Sequence, residues 1–269
     1  MKRLLQKIAL LSLLCLSTPS KSFKIDRVIL TSNNNPTYLQ FWPLVARAWR
    51  DRIGIKPTLF LVSDESIEID ETIGDVIRVH TIEGVSTANH AQILRLLAPI
   101  YFEEEICLIS DIDMLPLNRD YFIKSVEKIP DDRFVVYRDA AYGDSKRFPM
   151  CYNAGKGKLF KSIFNISSID EIPQKIKGWI NWWISQGGTA WDTDEVVLFT
   201  HVRGWEQFAH QCIFLHHTSM VEQRIDRADW RYDKEKLKNN YYIDAHMVRP
   251  LDTYRKEIEE LAHDLGLII

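Results

Sequence analysis

Two carboxylates one residue apart, Asp111 and Asp113, follow directly on the apolar run Ile106-Cys107-Leu108-Ile109. A run that short and that apolar predicts a strand buried on both faces, as in the middle of a parallel sheet. Pro116 then stops it. The carboxylates therefore belong at the carboxyl end of a central strand, the edge where open α/β sheets bind ligands. Neighbouring carboxylates taken out of water repel each other and lose solvation. A divalent cation removes that cost, and oxygen ligation suits hard ions such as Mg²⁺ or Mn²⁺. Asp-x-Asp also occurs in solvated loops and helix N-caps; the buried strand leading into it is what favours metal or phosphate chemistry.

The flanking pattern supplies elements to hold such a site. Residues 27–32 predict a first strand, ending in the polar turn Asn33-Asn34-Asn35-Pro36. Tyr38, Phe41, Trp42, Val45 and Trp49 follow at helical spacing, with Pro43 delaying the regular helix and Gly54 closing it. Residues 57–62 and 76–80 predict two further strands, and residues 88–100 a helix leading into the central strand. A helix over 118–128 and a strand over 133–137 come next. This alternation argues for a largely parallel sheet with right-handed crossovers. Beyond residue 140 the pattern changes. A polar and aromatic turn or short strand spans 148–155, and a short helix 157–164. A Trp-bearing helix over 169–186 ends at Gly187-Gly188. Thr193-Asp194-Glu195 opens a helix over 196–202, a strand covers 212–216, and 224–232 is a charged loop. Tyr241-Tyr242-Ile243 leads into Asp244-Ala245-His246, and an amphipathic helix closes the chain over 253–265.

With 269 residues and 46% hydrophobic content, the chain can build one large core. The fold class expected is α/β: one domain over 23–269, with a mostly parallel central sheet flanked by helices. Its halves, about 23–140 and 141–269, have different characters. A net charge of −3 points away from nucleic acid as a partner. Residues 1–22 have a basic start (Lys2, Arg3, Lys7), an apolar stretch over 8–16 and a small-x-small end at Ser20-Lys21-Ser22. That is the pattern of a signal peptide or short anchor, with Phe23 as the mature start. The segment holds four basic residues and no acid, so its removal takes the net charge to −7. Three of the four cysteines (Cys107, Cys151, Cys212) then remain, allowing at most one disulfide, and no Cys/His zinc pattern is present. Asn165-Ile166-Ser167 is a glycosylation sequon in a host that modifies secreted proteins.

Taken in order, these pieces resemble the nucleotide-sugar-dependent glycosyltransferases of the GT-A fold, in particular the metal-dependent members with an Asp-x-Asp. The strongest block is Arg95-Leu96-Leu97-Ala98-Pro99-Ile100 followed by Leu108-Ile109-Ser110-Asp111-Ile112-Asp113-Met114-Leu115-Pro116-Leu117. Tyr152-Asn153-Ala154-Gly155 looks like the Asn-Ala-Gly segment that such enzymes carry beyond the metal motif. Trp191-Asp192-Thr193-Asp194-Glu195 looks like the acidic segment at their donor–acceptor junction. Asp244-Ala245-His246-Met247-Val248-Arg249-Pro250 resembles the late His segment that completes the metal site in some retaining members. The Gly and Lys spacing usual after that His is absent, so the third ligand and the stereochemistry stay open.

The resemblance implies a GT-A-like, Rossmann-like domain. It implies transfer of a sugar from a UDP- or GDP-sugar to a hydroxyl on a glycan, glycolipid or glycoprotein. Asp111, Asp113 and His246 would hold Mn²⁺ (or Mg²⁺), the imidazole favouring Mn²⁺. The ion neutralises a diphosphate leaving group. Thr31, Ser32 and Asn33 would meet the nucleoside, and Arg95 and Arg249, with Asp111, the diphosphate end. Asp192, Asp194 and Glu195 are the acid–base or charge-stabilising candidates, and Asn153 and Trp191 the sugar contacts. Each has a plainer alternative: turn chemistry for Thr31–Asn33, surface salt bridges for the arginines, a hydrogen-bonded His246, a helix N-cap for the acidic segment, and core packing for Trp179, Trp182 and Trp183. A functional leader implies a secretory-pathway lumen or membrane association; without one the protein is cytoplasmic. Two other functions compete. A haloacid-dehalogenase-type phosphatase expects Thr or Val where Leu115 stands. A non-catalytic carbohydrate- or nucleotide-binding protein on the same scaffold has no need of an intact Asp111/Asp113 pair.

Overall fold

The structure, a computed structural model, describes residues 21–143, 145–217 and 223–267. All but the last two residues of the expected leader lie outside the described residues. The strands are β1 (Arg27–Asn33), β2 (Lys56–Val62), β3 (Asp75–Val79), β4 (Ile106–Ile109), β5 (Met114–Pro116), β6 (Phe134–Val136), β7 (Asn153–Lys156), β8 (Cys212–Phe214), β9 (Arg224–Ile225) and β10 (Asp244–His246). The helices are α1 (Pro36–Leu39), α2 (Trp42–Arg47), α3 (Thr87–Leu97), α4 (Arg119–Ile123), α5 (Gly157–Ile163), α6 (Ile172–Ser185), α7 (Thr193–Gly204), α8 (Phe208–Gln211), α9 (Lys234–Lys238) and α10 (Arg255–Asp264).

A seven-stranded sheet has the order β3-β2-β1-β4-β7-β6-β8. β3, β2, β1 and β4 run parallel, β7 is antiparallel to both β4 and β6, and β8 is parallel to β6. The expected α/β class, a mostly parallel sheet flanked by helices, is the observed one. Both faces of its centre are buried. Val28 and Leu30 of β1 pack into one apolar cluster with Trp42, Trp49 and Phe122, and Ile29 into the other with α3 and α6. β4 does the same, Ile106 and Leu108 facing one way and Cys107 and Ile109 the other. This is why the two strands are continuous apolar runs rather than alternating ones.

From β1 the sheet grows one way through β2 and β3; from β4 it grows the other way. The gap between the carboxyl ends of β1 and β4 is thus a topological switch point, where open α/β sheets leave a crevice. A smaller sheet, β5-β10-β9, lies beside it. β10 pairs antiparallel with β5, setting His246 opposite Met114.

Several boundaries depart from the expected ones for local reasons. The first helical stretch breaks into α1, α2 and a wider π turn (Ala48–Ile53), stopped by Gly54 at φ 84°. Asn35 caps α1, and Pro43 sits in the first turn of α2, where its missing N–H costs nothing. Ser86 caps α3, its Oγ accepting from Asn89 N–H at 3.2 Å, a cap contributing about 1 kcal/mol. The helix expected over 118–128 is regular only in α4; the turns after it let Phe23 N–H reach the Ile129 carbonyl at 2.9 Å. The Trp-bearing helix opens with a reciprocal Ser168–Glu171 capping box before α6. The charged loop at 224–232 begins as strand β9, paired with β10.

Candidate active site

A cleft of about 470 Å³ opens at the switch point. Thr31, Ser32 and Asn33 close the end of β1, the first two buried, and all three line it. Asn33 donates to Thr87 Oγ1 at 2.9 Å, tying the strand end to the start of α3. Facing them, the chain leaving β4 carries Asp111 and Asp113 into the same cleft.

The two carboxylates have different surroundings. Asp113 is 6% exposed, and three side chains approach its Oδ2: Arg227 Nη1 at 3.3 Å, Arg249 Nη1 at 3.5 Å and His246 Nε2 at 3.6 Å. Burial opposes its charge, but His246, Arg249 and Arg227 outweigh burial and hold its pKa below the usual carboxylate value. At 3.6 Å the imidazole does not hydrogen-bond to the carboxylate. The pairing of β10 with β5 brings the two together, and Met247 N–H donates to the Asp113 carbonyl at 2.9 Å. On its other edge His246 Nδ1 faces Asp226 Oδ2 at 3.6 Å.

Asp111 is turned away from this group. Its Oδ1 pairs with Arg95 Nη1, and its Oδ2 accepts from the Cys151 thiol at 2.9 Å, while its own N–H meets Cys151 Sγ at 3.2 Å. Burial pushes the Cys151 thiol up to about 12, so it remains a protonated donor. Arg95 also reaches across to Asp194 Oδ2 at 2.5 Å, where both side chains are nearly buried. Its guanidinium is therefore committed to two carboxylates of the protein.

The start of α7 forms the opposite wall. Asp192 accepts from Trp183 Nε1 at 2.7 Å and Thr189 Oγ1 at 2.8 Å, and pairs with Arg147 at 2.6 Å. Burial works against its charge, but these partners prevail and its pKa is lowered. Glu195 behaves in the opposite way. Burial raises its pKa against the hydrogen bond from Tyr142 OH at 2.7 Å and the more distant Arg95 and Arg147 charges. Trp191 stands at the rim, 58% exposed, whereas Trp179 is core. Trp182 is exposed, and Trp183 serves Asp192. Arg249 stacks over the Tyr38 ring, 4.5 Å from its centroid, on the β1 side of the cleft.

The cleft thus brings together Thr31, Ser32, Asn33, Arg95, Asp111, Asp113, Trp191, Asp192, Asp194, Glu195, His246 and Arg249. Asn153 is placed elsewhere. It is fully buried in β7, its amide donating to the carbonyls of Pro149 and Met150 at 2.9 and 3.0 Å, so it braces the wall carrying Cys151 from behind. Sequence reasoning passed over Arg227, Arg138, Tyr142, Arg147 and Cys151, all of which line the cleft. None sits in a motif; the density of charge around residue 227 was the sole hint.

Among the described residues, no group of three or more His, Cys, Asp and Glu side chains is gathered as a metal centre. Asp113 and His246 are the residues here that could take a divalent ion, and Asp111 would have to release Arg95 to join them. Asp113 and His246 face each other across a gap longer than a hydrogen bond, with Asp111 one residue away on the same cleft wall.

No protein-family profile matches the chain, and no curated protein matches it in sequence. Among solved structures it is similar to the galactosyltransferase LgtC in complex with donor and acceptor sugar analogs. That similarity has 11% identity and a TM-score of 0.47, and covers 89% of this chain and 95% of that one. What the fold itself defines is an α/β protein with a ligand crevice at its switch point.

Proposed function

We propose that the protein is a metal-dependent glycosyltransferase that moves a sugar from a UDP- or GDP-sugar to a hydroxyl acceptor. One observation carries this: residues from seven stretches (31–38, 88–95, 111–114, 138–151, 191–195, 224–227 and 246–249) converge on the switch-point cleft, with the buried Asp113 carboxylate and His246 at its centre under two arginines. A diphosphate leaving group needs its charge neutralised, and cations held around one carboxylate are suited to that. Asp113, His246 and Asp111 would hold Mn²⁺ or Mg²⁺, which supplies Lewis-acid stabilisation of the departing diphosphate. Thr31, Ser32 and Asn33 receive the nucleoside beside Tyr38. Arg249 and Arg227, whose contacts to Asp113 exceed 3.2 Å, turn to phosphate oxygens. Arg95 positions Asp111 rather than binding phosphate, because both its partners are protein carboxylates. Glu195, with its raised pKa, takes the proton of the acceptor hydroxyl. Trp191 offers a flat face at the rim for sugar C–H groups.

The test is calorimetric titration of UDP and GDP into the protein with and without Mn²⁺, repeated on Asp113→Asn. Metal-dependent binding of one nucleotide, lost in the variant, is the expected result. Failure of both nucleotides to bind with Mn²⁺ present overturns the proposal.

A further inference from the structure

The arginines lining the cleft do not all have partners. Arg95 is held by Asp111 and Asp194, Arg147 by Asp192 and Arg224 by Asp244, while Arg227 and Arg249 face Asp113 at 3.3 and 3.5 Å. Arg138 lines the same cleft and faces no carboxylate among the described residues. Its Nε is buried without a hydrogen-bond partner, and so is Nδ1 of nearby His217. Asp139, its neighbour in sequence, is taken by His216 at 2.9 Å. Arg138 is half-buried, with only Nε shut away from water, so the rest of its charged fork remains open to the cleft and can take an anion that no protein carboxylate supplies.

The fold sets which ligand. Arg138 follows β6, and in the sheet order β1-β4-β7-β6 that strand lies three places from the nucleoside end of the cleft, roughly 14 Å away. A tight turn, closed by the Ala141 N–H on the Arg138 carbonyl at 3.1 Å, instead sets Arg138 next to Tyr142, whose hydroxyl donates to Glu195 at 2.7 Å in the same cleft. Arg138 thus stands by the residue proposed to deprotonate the acceptor, on the far side of Asp111 from Thr31. We infer that Arg138 is an acceptor-specificity residue, and that the acceptor is an acidic sugar whose carboxylate or phosphate seats on its guanidinium while a hydroxyl faces Glu195. The planar fork of an arginine suits either anion. This rests on the transferase proposal for the role of Glu195.

The experiment measures binding of three probes to the protein holding Mn²⁺ and UDP or GDP: methyl β-glucuronide, glucose 6-phosphate and methyl β-glucoside. One acidic probe should bind at least about tenfold more tightly than the neutral glycoside, and which one identifies the anion. Arg138→Met should remove that preference while nucleotide affinity stays unchanged, and Arg138→Lys should keep part of it. Because the guanidinium has no protein partner, Arg138→Met should melt no lower than the wild type. Equal binding of acidic and neutral probes overturns the inference. So does a fall in nucleotide affinity in Arg138→Met as large as the fall for the acidic probe, which would put Arg138 on the donor side. If no nucleotide binds yet an acidic sugar does, dependent on Arg138, the subsite stands and the transferase proposal falls. Nucleotide binding without acid preference defeats only the acceptor inference.

Discussion

Replacing Arg95 by Met should cost the protein much of its stability. Asp194 is 2% exposed, and its Oδ2 has Arg95 Nη2 at 2.5 Å, leaving Oδ1 only the Glu195 N–H at 2.9 Å. Removing one partner of a buried pair leaves an uncompensated charge and costs about 3–5 kcal/mol. For a chain of this size that is a loss of roughly 6–20 °C in melting temperature. Asp111 loses its partner too, but its side chain is 30% exposed and water replaces part of the contact. The double variant Arg95→Met/Asp194→Asn removes both charges and should recover most of the loss, giving a coupling of about 2 kcal/mol or more. Urea unfolding followed by tryptophan fluorescence measures all four proteins of the cycle. A loss under about 1 kcal/mol in Arg95→Met, or no recovery in the double variant, would refute the view that Arg95 is committed to the protein's own carboxylates.

Two further substitutions test other parts of the structure. Glu195→Gln should lower turnover by about 10²–10⁴-fold without lowering the melting temperature. Burial raises the Glu195 pKa, so the folded state holds that proton more tightly and ionisation above the raised pKa costs stability, which Gln avoids. Wild-type activity should fall, as the pH drops, at a higher pH than an ordinary carboxylate gives; unchanged turnover in the variant would remove Glu195 from the chemistry. His90 is 1% exposed, and burial pushes its pKa down to about 4. The unfolded chain therefore takes up this proton first. The stability that the neutral ring preserves is complete above about pH 6.5 and is lost as pH falls toward 4, at most about 3 kcal/mol. His90→Met should flatten unfolding free energy across pH 4.5–7; an unaltered slope would assign the acid sensitivity elsewhere.

The parts of this protein legible in its sequence are those whose physics is local. Ile106–Ile109 had to be a doubly buried strand, since no half-exposed position accepts four apolar residues in a row. The polar ends of β1 and β4 followed from where those runs stop, α3 from its apolar spacing, and α7 from the Thr193-Asp194-Glu195 segment that opens it. Asp111 and Asp113 were marked as chemistry for the same reason: charge directly after a buried strand. The roles within the cleft were decided by tertiary structure. His246 meets Asp113 because β10 pairs with β5 across more than a hundred residues, a register that neither segment records. Arg95 looks identical in sequence whether it faces a phosphate or Asp194, and only the packing of α3 against α7 selects the latter. Asn153 sits in a motif-like segment yet braces the wall from behind, and Arg138 and Arg227 carry no motif at all. Periodicity reports how each segment is buried, because burial acts residue by residue along an element. Which charges meet depends on strand register and helix packing between segments far apart in the chain, and that information exists only once the chain is folded.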